Sequence, residues 1–292
     1  MDPRLRARRM ILFVPGDRPD RFSKAFATAA DAVCLDLEDA VAPAAKDDAR
    51  ARVQAFLRQR GQQQPDGTGS ETTVRISALE SEAGRLDLEA LATAGAWPDA
   101  LLIPKTDDPA ALRALAAHLE ASAGPTAPAL IPLIETARGL HRVEAVATAT
   151  PRVAALALGG FDLCAELGAE PGWDTLLYAR SRLVHAAALA GVGALDTPFL
   201  AIDDPEGLEA ESRRARALGF VGKLAIHPVQ VPVLARAFAP TPEQEAWARR
   251  VVEAADGAPE GVFALEGRMI DAPLVRAARQ VLARAIAHPS TP

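Results

Sequence analysis

Hydrophobic positions along this chain fall into short apolar runs separated by longer segments of helical periodicity. Eight runs have the length and the Val, Ile, Leu and Ala content of β-strands. They lie at residues 11–15, 32–37, 73–76, 100–104, 129–134, 153–158, 193–195 and 222–226. The segments between them, among them 22–30, 44–58, 109–121, 176–190 and 204–218, are rich in Ala, Leu and Arg. This alternation predicts βαβ units and a parallel sheet.

Eight strands alternating with helices predict a (β/α)₈ TIM barrel of the α/β class. A doubly wound sheet is the alternative, but no Gly-rich dinucleotide fingerprint follows the first run and no Walker loop occurs. After the eighth strand, two segments that begin with Pro, 242–255 and 273–287, predict further helices. We therefore expect a catalytic barrel over residues 1–240 and a C-terminal helical extension or lid over 241–292.

Net charge, apolar run length and cysteine usage limit the partners and the location that we expect for this protein. The 292 residues carry a formal net charge of −6, which argues against nucleic acid or a membrane surface as a partner. The longest apolar runs are strand-sized, so we expect no transmembrane helix. Cys34 and Cys164 have no metal-ligand spacing and predict two buried thiols in a reducing cytoplasm.

The basic residues are unevenly divided between arginine and lysine. Only four lysines occur in an Arg-rich chain, namely Lys24, Lys46, Lys105 and Lys223. A lysine kept among so many arginines indicates a use for a compact ammonium group, or chance.

Two acids are placed where parallel strands end. The run 129–134 leads directly to Glu135, and the run 153–158 continues to Asp162. Segment 136–150 between them predicts one amphipathic helix, so both acids should lie at the same edge of one sheet. Mg²⁺ is commonly held by one or two carboxylates together with waters, so the pair predicts a magnesium site. The alternative is that each acid caps the helix that follows it.

Charged residues follow nearly every predicted strand. In barrels of this type the chemistry lies at the carboxyl ends of the strands. These residues are Asp17 and Arg18, then Asp36, Glu38 and Asp39, then Arg75, Lys105, Glu135, Asp162, Asp196 and His227. Burying charges without partners is costly, so they must pair, bind a metal or face a wet site. Together they favour a site for a metal and an anionic ligand.

Arg75 is the best candidate to bind a substrate carboxylate or a developing oxyanion, because a guanidinium is bidentate and stays charged. The alternative is an ion pair with the acids Asp36, Glu38 and Asp39, and the two roles are compatible. We expect these acids to orient Arg75 and metal-bound water. His227 either contacts a ligand or is a structural histidine that bonds to the backbone.

Eight motifs in order resemble one family. They are Leu12-Phe-Val-Pro-Gly16, Asp36-Leu-Glu-Asp-Ala-Val41, Val74-Arg75, Ile103-Pro-Lys105, Ile134-Glu-Thr-Ala137, Gly159-Gly-Phe-Asp162, Ile226-His-Pro228 and Gly267-Arg-Met-Ile-Asp271. The chain is thereby similar, over almost its whole length, to the citrate lyase beta-subunit-like family. That family is part of the HpcH/HpaI aldolase superfamily, with the malyl-CoA and citramalyl-CoA lyases.

The resemblance implies roles for individual residues. Glu135 and Asp162 match the family's Mg²⁺ ligands. Arg75 matches the arginine at the carboxylate or keto-acid end of the substrate. Arg18 and Lys24 match basic residues that contact coenzyme A phosphates.

The resemblance also implies the rest of the site and an assembly. Gly159 and Gly160 belong to the substrate-binding motif. Asp271 resembles the acid that a neighbouring subunit inserts over the site, which implies a homotrimer or hexamer; from the sequence alone it is a helix cap. Ser77 stands where the family usually has Asn, which affects specificity for the substrate end.

The implied reaction is Mg²⁺-dependent cleavage or formation of the carbon–carbon bond in a 3-hydroxyacyl thioester such as citryl-, malyl- or citramalyl-CoA. One alternative is a class II aldolase acting on free hydroxy-keto acids, although the histidine which those relatives have near the second strand is missing here. The other is a citrate lyase beta subunit that depends on an acyl-carrier protein.

Overall fold

A computed structural model describes residues 8–63, 69–257 and 261–287. Eight parallel strands close into a barrel, in which each strand pairs with the next and the last returns to the first. The strands are β1 (Met10–Pro15), β2 (Ala32–Asp36), β3 (Glu71–Arg75), β4 (Ala100–Ile103), β5 (Ala129–Ile134), β6 (Ala155–Leu158), β7 (Gly193–Asp196) and β8 (Gly222–Ala225). The predicted TIM barrel is confirmed.

Helices follow the strands along the chain. They are α1 (Pro19–Phe26), α2 (Lys46–Gln63), α3 (Glu82–Ala94), α4 (Pro109–Ala123), α5 (Ala137–His141), α6 (Val143–Ala147), α7 (Gly160–Leu167), α8 (Trp173–Ala190), α9 (Pro205–Leu218) and α10 (Val231–Phe238). Within the described ranges, no helix combines the length and the apolar character needed to cross a membrane.

The barrel interior is filled by alternate residues of the strands. Side chains in a strand point to opposite faces in turn. The positions that point into the barrel, here called the inward parity, form a buried cluster that includes Ile11, Cys34, Leu102, Ile131 and Leu195. The opposite parity faces the surrounding helices. Both cysteines are free and buried, as predicted.

The segment between β5 and β6 differs from the prediction of one helix. It forms α5 and α6, with a break at Arg142, whose N–H is shared between the carbonyl oxygens of Arg138 and Gly139. The buried residues Leu140, Val143 and Val146 recur every three residues, whereas a continuous α-helical face alternates steps of three and four. The break keeps all three on one buried face.

Contacts divide the chain into two compact units, residues 1–237 and 238–292. The second unit contains α11 (Pro242–Gly257), the strands β9 (Phe263–Leu265) and β10 (Arg268–Ile270), and α12 (Ala272–Ala287). Its buried core is formed by Ala248, Val251, Ile270 and Ala278. The two predicted helices are present. The antiparallel β9–β10 hairpin between them was not predicted.

A buried charge cluster lies between the outer face of the barrel and its helices. Asp196 of β7 is fully buried and accepts hydrogen bonds from Arg180 (2.8 Å) and Lys223 (2.7 Å), while Lys223 also donates to Glu211 at 2.7 Å. Burial alone would raise the pKa of Asp196, but the charges of Lys223 and Arg180 hold it below its usual value. Asp196 is therefore the last residue of β7 but faces away from the barrel mouth, contrary to the expectation for strand-end acids.

Replacing Lys223 by Met is expected to lower the free energy of unfolding by about 3 kcal/mol, because it breaks a buried ion pair and leaves Arg180 as the remaining cation for the carboxylates of Asp196 and Glu211. Denaturant unfolding followed by circular dichroism measures the change. Arg213→Met is the control, because Arg213 makes an exposed ion pair with Glu209 that should contribute little. Equal losses in both variants would contradict the assignment.

Candidate active site at the barrel mouth

The inward-facing alternation of the strands continues to the residues at the barrel mouth. In β2, Ala32 and Cys34 face inward, so Asp36 does too; in β5, Ile131 and Leu133 lead to Glu135. These positions line a pocket of about 250 Å³ at the carboxyl ends of the strands. Its lining residues are Phe13, Pro15, Asp36, Ala40, Arg75, Leu133, Glu135, Gly159, Phe161, Asp162, Thr197, Pro198, Leu224 and Ile226.

Arg75 is held in the pocket wall by acids from β2 and the loop after it. Its Nε and Nη2 donate to the two carboxylate oxygens of Asp36 at 2.7 and 2.5 Å. Its Nη1 lies 3.1 Å from Oε2 of Glu38 and 4.0 Å from the exposed carboxylate of Asp39. Burial opposes the charge of the guanidinium, but the hydrogen bonds that Arg75 donates to Asp36 and the negative charges around it raise the pKa of Arg75 above its ordinary value. Arg75 is therefore a fixed, permanently charged group.

Glu38 connects this cluster to the end of β4. Its Oε1 accepts a hydrogen bond from Lys105 Nζ at 3.0 Å, while its buried Oε2 lies 3.1 Å from Arg75 Nη1 without the alignment of a hydrogen bond. Burial raises the pKa of Glu38, although Arg75 and Lys105 counteract it. Glu38 is thus a buried carboxylate shared by two cations.

Glu135 is buried at the floor of the mouth, with 3% of its surface exposed. Its Oε1 accepts a hydrogen bond from the backbone N–H of Lys105 at 2.7 Å. Its other oxygen lies against Gly159, where an added Cβ would overlap the carboxylate. Burial raises the pKa of Glu135 to about 8, and the negative charges of Glu38 and Asp162 add to the effect.

Asp162 reaches the same pocket from a different element than predicted. Strand β6 ends at Leu158, and Asp162 lies in the first turn of α7 rather than at the end of the strand. The N–H of Gly160 donates to the hydroxyl of Thr197 at 3.1 Å, which fixes the start of α7 against β7. Asp162 itself is exposed at the pocket. Glu135 and Asp162 therefore line one pocket, as predicted, but Asp162 reaches it from the first turn of a helix.

The donor set fits a hard divalent cation. Among the described residues there is no group of three or more His, Cys, Asp or Glu side chains arranged to hold a metal ion. Glu135 and Asp162 provide two carboxylates, which is the number Mg²⁺ typically takes from a protein while keeping waters. A cation at this position would also favour the charged form of Glu135, whose isolation from water otherwise disfavours it.

The remaining predicted residues lie outside the pocket lining. Arg18, at the start of α1, forms an exposed ion pair with Asp20 (3.1 Å), and Lys24 is exposed on α1. His227 accepts a hydrogen bond from the N–H of Val229 at 3.3 Å and caps a short 3₁₀ helix, which is the structural arrangement that the sequence left open.

Asp271 belongs to the second unit. Its carboxylate accepts a hydrogen bond from the N–H of Leu274 at 3.1 Å, so it caps α12 within its own chain. This agrees with the interpretation of Asp271 from sequence alone.

Apolar residues of the pocket were not identified from the sequence. Phe13, Phe161 and Ile226 line the mouth together with the acids. Phe13 could have been identified from the alternation that begins at Ile11 in β1. Whether Phe161 lines the pocket depends on the direction of α7, which could not be predicted from the sequence.

Comparison with known proteins assigns the chain to a family. Residues 9–228 match the model of the HpcH/HpaI aldolase/citrate lyase family. The chain belongs to this family. The matched region runs from the start of the barrel to the residues just after β8, so it includes Arg75, Glu135 and Asp162.

Relatives within the HpcH/HpaI family are similar over nearly the whole chain. Citrate lyase subunit beta of Escherichia coli (strain K12) is 39% identical, with 96% of this chain and 94% of the relative covered. Mitochondrial citramalyl-CoA lyase of Mus musculus is 35% identical, with 94% and 85% covered. The crystal structure of CitE from Mycobacterium tuberculosis in complex with magnesium, acetoacetate and coenzyme A superposes with a TM-score of 0.79 at 38% identity, with 96% and 99% covered.

Gly159→Ala is expected to displace the carboxylate of Glu135, since the new Cβ would occupy the space of its side chain. We expect Mg²⁺ to raise the melting temperature of the wild-type protein and to have no such effect on Gly159→Ala. Differential scanning fluorimetry with and without Mg²⁺ measures it.

Gly61→Ala is the matched control, because a Cβ at that helical position meets nothing within 4 Å. A wild-type response to Mg²⁺ in Gly159→Ala would show that Glu135 can move without consequence.

Proposed function

We propose that this protein is a Mg²⁺-dependent carbon–carbon lyase that cleaves or forms a 3-hydroxyacyl thioester, such as citryl-, malyl- or citramalyl-CoA. The observation that carries the proposal is the convergence of Arg75, Glu135 and Asp162 on one pocket in a member of the HpcH/HpaI family. In the cleavage direction the products are an acetyl thioester and an oxo-acid.

Glu135 and Asp162 would hold the Mg²⁺ ion. When bound, Mg²⁺ supplies a Lewis acid and a template for the hydroxyl or keto oxygen and the adjacent carboxylate of the substrate. Burial of Glu135 and its hydrogen bond from Lys105 keep this carboxylate in one orientation. The CitE structure from M. tuberculosis that contains magnesium supports this assignment.

Arg75 would bind the carboxylate end of the substrate and stabilise the negative charge that develops there. Asp36 accepts hydrogen bonds from Nε and Nη2, so the ligand would bind at Nη1, which also lies 3.1 Å from Glu38 Oε2. Glu38 and Asp39 would orient Arg75 and water at the metal, and do not themselves react. Gly159 leaves space for the carboxylate of Glu135, and Gly160 leaves space for Leu176 and Thr197, so these two glycines would shape the substrate site through the side chains packed on them.

The thioester would extend from the pocket toward α1. Arg18 and Lys24 are exposed there and would contact the phosphates of coenzyme A. Their exposure is compatible with a charged group that stays partly in water. The presence of coenzyme A in the M. tuberculosis CitE complex supports a thioester over a free acid.

Asp271, contributed by a neighbouring subunit of a homotrimer or hexamer, would move the proton. In cleavage it would remove the proton of the β-hydroxyl, the carbon–carbon bond would break, and the enolate of the acetyl thioester would take up that proton from Asp271. In condensation it removes a proton from the acetyl methyl group. Because its carboxylate also caps α12, its position depends on that helix.

A subunit that acts on an acyl-carrier protein is the second candidate function. The 39% identity to citrate lyase subunit beta of E. coli favours it. Such a subunit would have the same chemistry with a carrier-bound thioester. The expected cytoplasmic location fits both candidates and stays a prediction.

The test is release of acetyl-CoA from citryl-, malyl- and citramalyl-CoA by the purified protein, with Mg²⁺ and with EDTA. We expect turnover of at least one thioester with Mg²⁺ and none with EDTA. Asp271→Ala should lower kcat by a factor on the order of 100 or more while sparing Mg²⁺ affinity, because proton transfer contributes that much.

Asp256→Ala is the control, since Asp256 lies in the same unit and makes an exposed ion pair with Arg279. Full activity in Asp271→Ala would refute its role. No turnover of any thioester by a protein that binds Mg²⁺ would favour the carrier-dependent subunit.

A further inference from the structure

Lys105 has a backbone conformation that lysine rarely adopts. It follows β4 in a turn with φ of +50°, and within the described ranges Glu266 is the only other residue besides glycine with positive φ. Turn positions of this kind favour Gly or Asn, and a longer side chain there is strained. Such strain persists where the surrounding contacts require it. A reason is therefore needed for a lysine at this turn.

Both ends of Lys105 contact acids at the barrel mouth. Its backbone N–H donates to Glu135 Oε1 at 2.7 Å, and its Nζ donates to Glu38 Oε1 at 3.0 Å. The turn thus aims the N–H at one carboxylate, while the side chain reaches another that is distant in sequence. Glycine would provide the first contact and not the second.

The ammonium group of Lys105 weakens the electrostatic attraction between Glu38 and Arg75. Glu38 Oε2 lies 3.1 Å from Nη1 of Arg75, while Asp36 already occupies Nε and Nη2. Nη1 is therefore the nitrogen for which Glu38 and a substrate carboxylate would compete. A second cation on Glu38 weakens that competition.

We propose that Lys105 is a positioning residue with two separable roles. Its strained turn holds Glu135 through the main chain, and its ammonium neutralises Glu38 so that Arg75 Nη1 is available to the carboxylate of an oxo-acid. The inference rests on the proposed function, because it takes Arg75 to be the carboxylate-binding group. It adds a residue that touches neither substrate nor metal.

A purely local ion pair is the competing explanation. The Lys105 side chain is 46% exposed, and exposed ion pairs contribute little on their own. In that case, removing the ammonium would leave ligand binding unchanged. The two explanations differ in whether Lys105 and Glu38 are coupled through the ligand affinity of Arg75.

The experiment is a double-mutant cycle read out by calorimetry rather than by turnover. The proteins are wild type, Lys105→Met, Glu38→Gln and the double variant. Pyruvate, oxaloacetate and glyoxylate are titrated with Mg²⁺ present, and the cycle uses the oxo-acid that wild type binds. We expect Lys105→Met to weaken oxo-acid binding about 10-fold, and the double variant to bind within about 3-fold of Glu38→Gln alone.

Mg²⁺ affinity and a glycine variant separate the two roles. Lys105→Met should keep Mg²⁺ affinity within about 3-fold of wild type, because the N–H to Glu135 is retained. Lys105→Gly suits the turn, so it should fold at least as well as wild type and show the same loss of oxo-acid affinity.

Additive effects in the cycle, or unchanged oxo-acid binding in both Lys105 variants, would overturn the inference while the proposed function stands. A wild-type protein that binds Mg²⁺ but none of the three oxo-acids would instead refute the proposed function, and this inference with it.

Discussion

The site depends on negative charge concentrated at the barrel mouth with too few cations to balance it. The carboxylates of Asp36, Glu38 and Glu135 are buried, and Asp162 lies at the edge of the same pocket. Arg75 and Lys105 are the cations in contact with them in the described part of the chain. Burial raises the pKa of Glu135 to about 8, and the negative charges of Glu38 and Asp162 add to the effect. A divalent cation at Glu135 and Asp162 would relieve this excess of negative charge and would at the same time provide the Lewis acid of the proposed reaction.

The barrel uses strand parity to separate reactive acids from structural ones. Asp36 and Glu135 continue the inward-facing positions of their strands and therefore emerge in the pocket. Asp196, on the outward parity of β7, is fully paired with Arg180 and Lys223 among the helices. Carboxylates thus stabilise the fold on the outer face of the barrel, whereas at the pocket they leave negative charge that a bound cation would balance. One step along a strand decides which role an acid has.

Much of this arrangement could be predicted from the sequence, because strand and helix periodicities and strand-end acids are local signals. The barrel, Arg75 beside its acidic partners, and Glu135 directly after β5 all followed from them. Asp162 was expected at a strand end, yet it lies in α7, because β6 ends at Leu158 as predicted and the next helix already begins at Gly160. Tertiary contacts decided the rest.

Two misses have identifiable physical causes. The break between α5 and α6 follows from packing three buried residues at steps of three, which a periodicity count does not distinguish from a continuous helix. The β9–β10 hairpin turns at Glu266 and Gly267, both with positive φ, and Glu-Gly is a weaker turn signal than Asn-Gly. The contacts of Lys105 with Glu38 and Glu135 join residues far apart in sequence, so no local pattern could reveal them.

Calorimetric titration of Mg²⁺ between pH 6 and 9 tests the central claim, that a buried Glu135 with a raised pKa is a ligand of the cation. Below a pKa of about 8 the carboxyl group holds a proton, and Mg²⁺ must displace it. The account predicts that affinity rises about tenfold per pH unit from pH 6 toward 8 and then levels off, with proton release detected by varying the buffer. Glu135→Gln should lose both the affinity and its pH dependence. Equal affinity at pH 6 and 9, or wild-type affinity in Glu135→Gln, would contradict it.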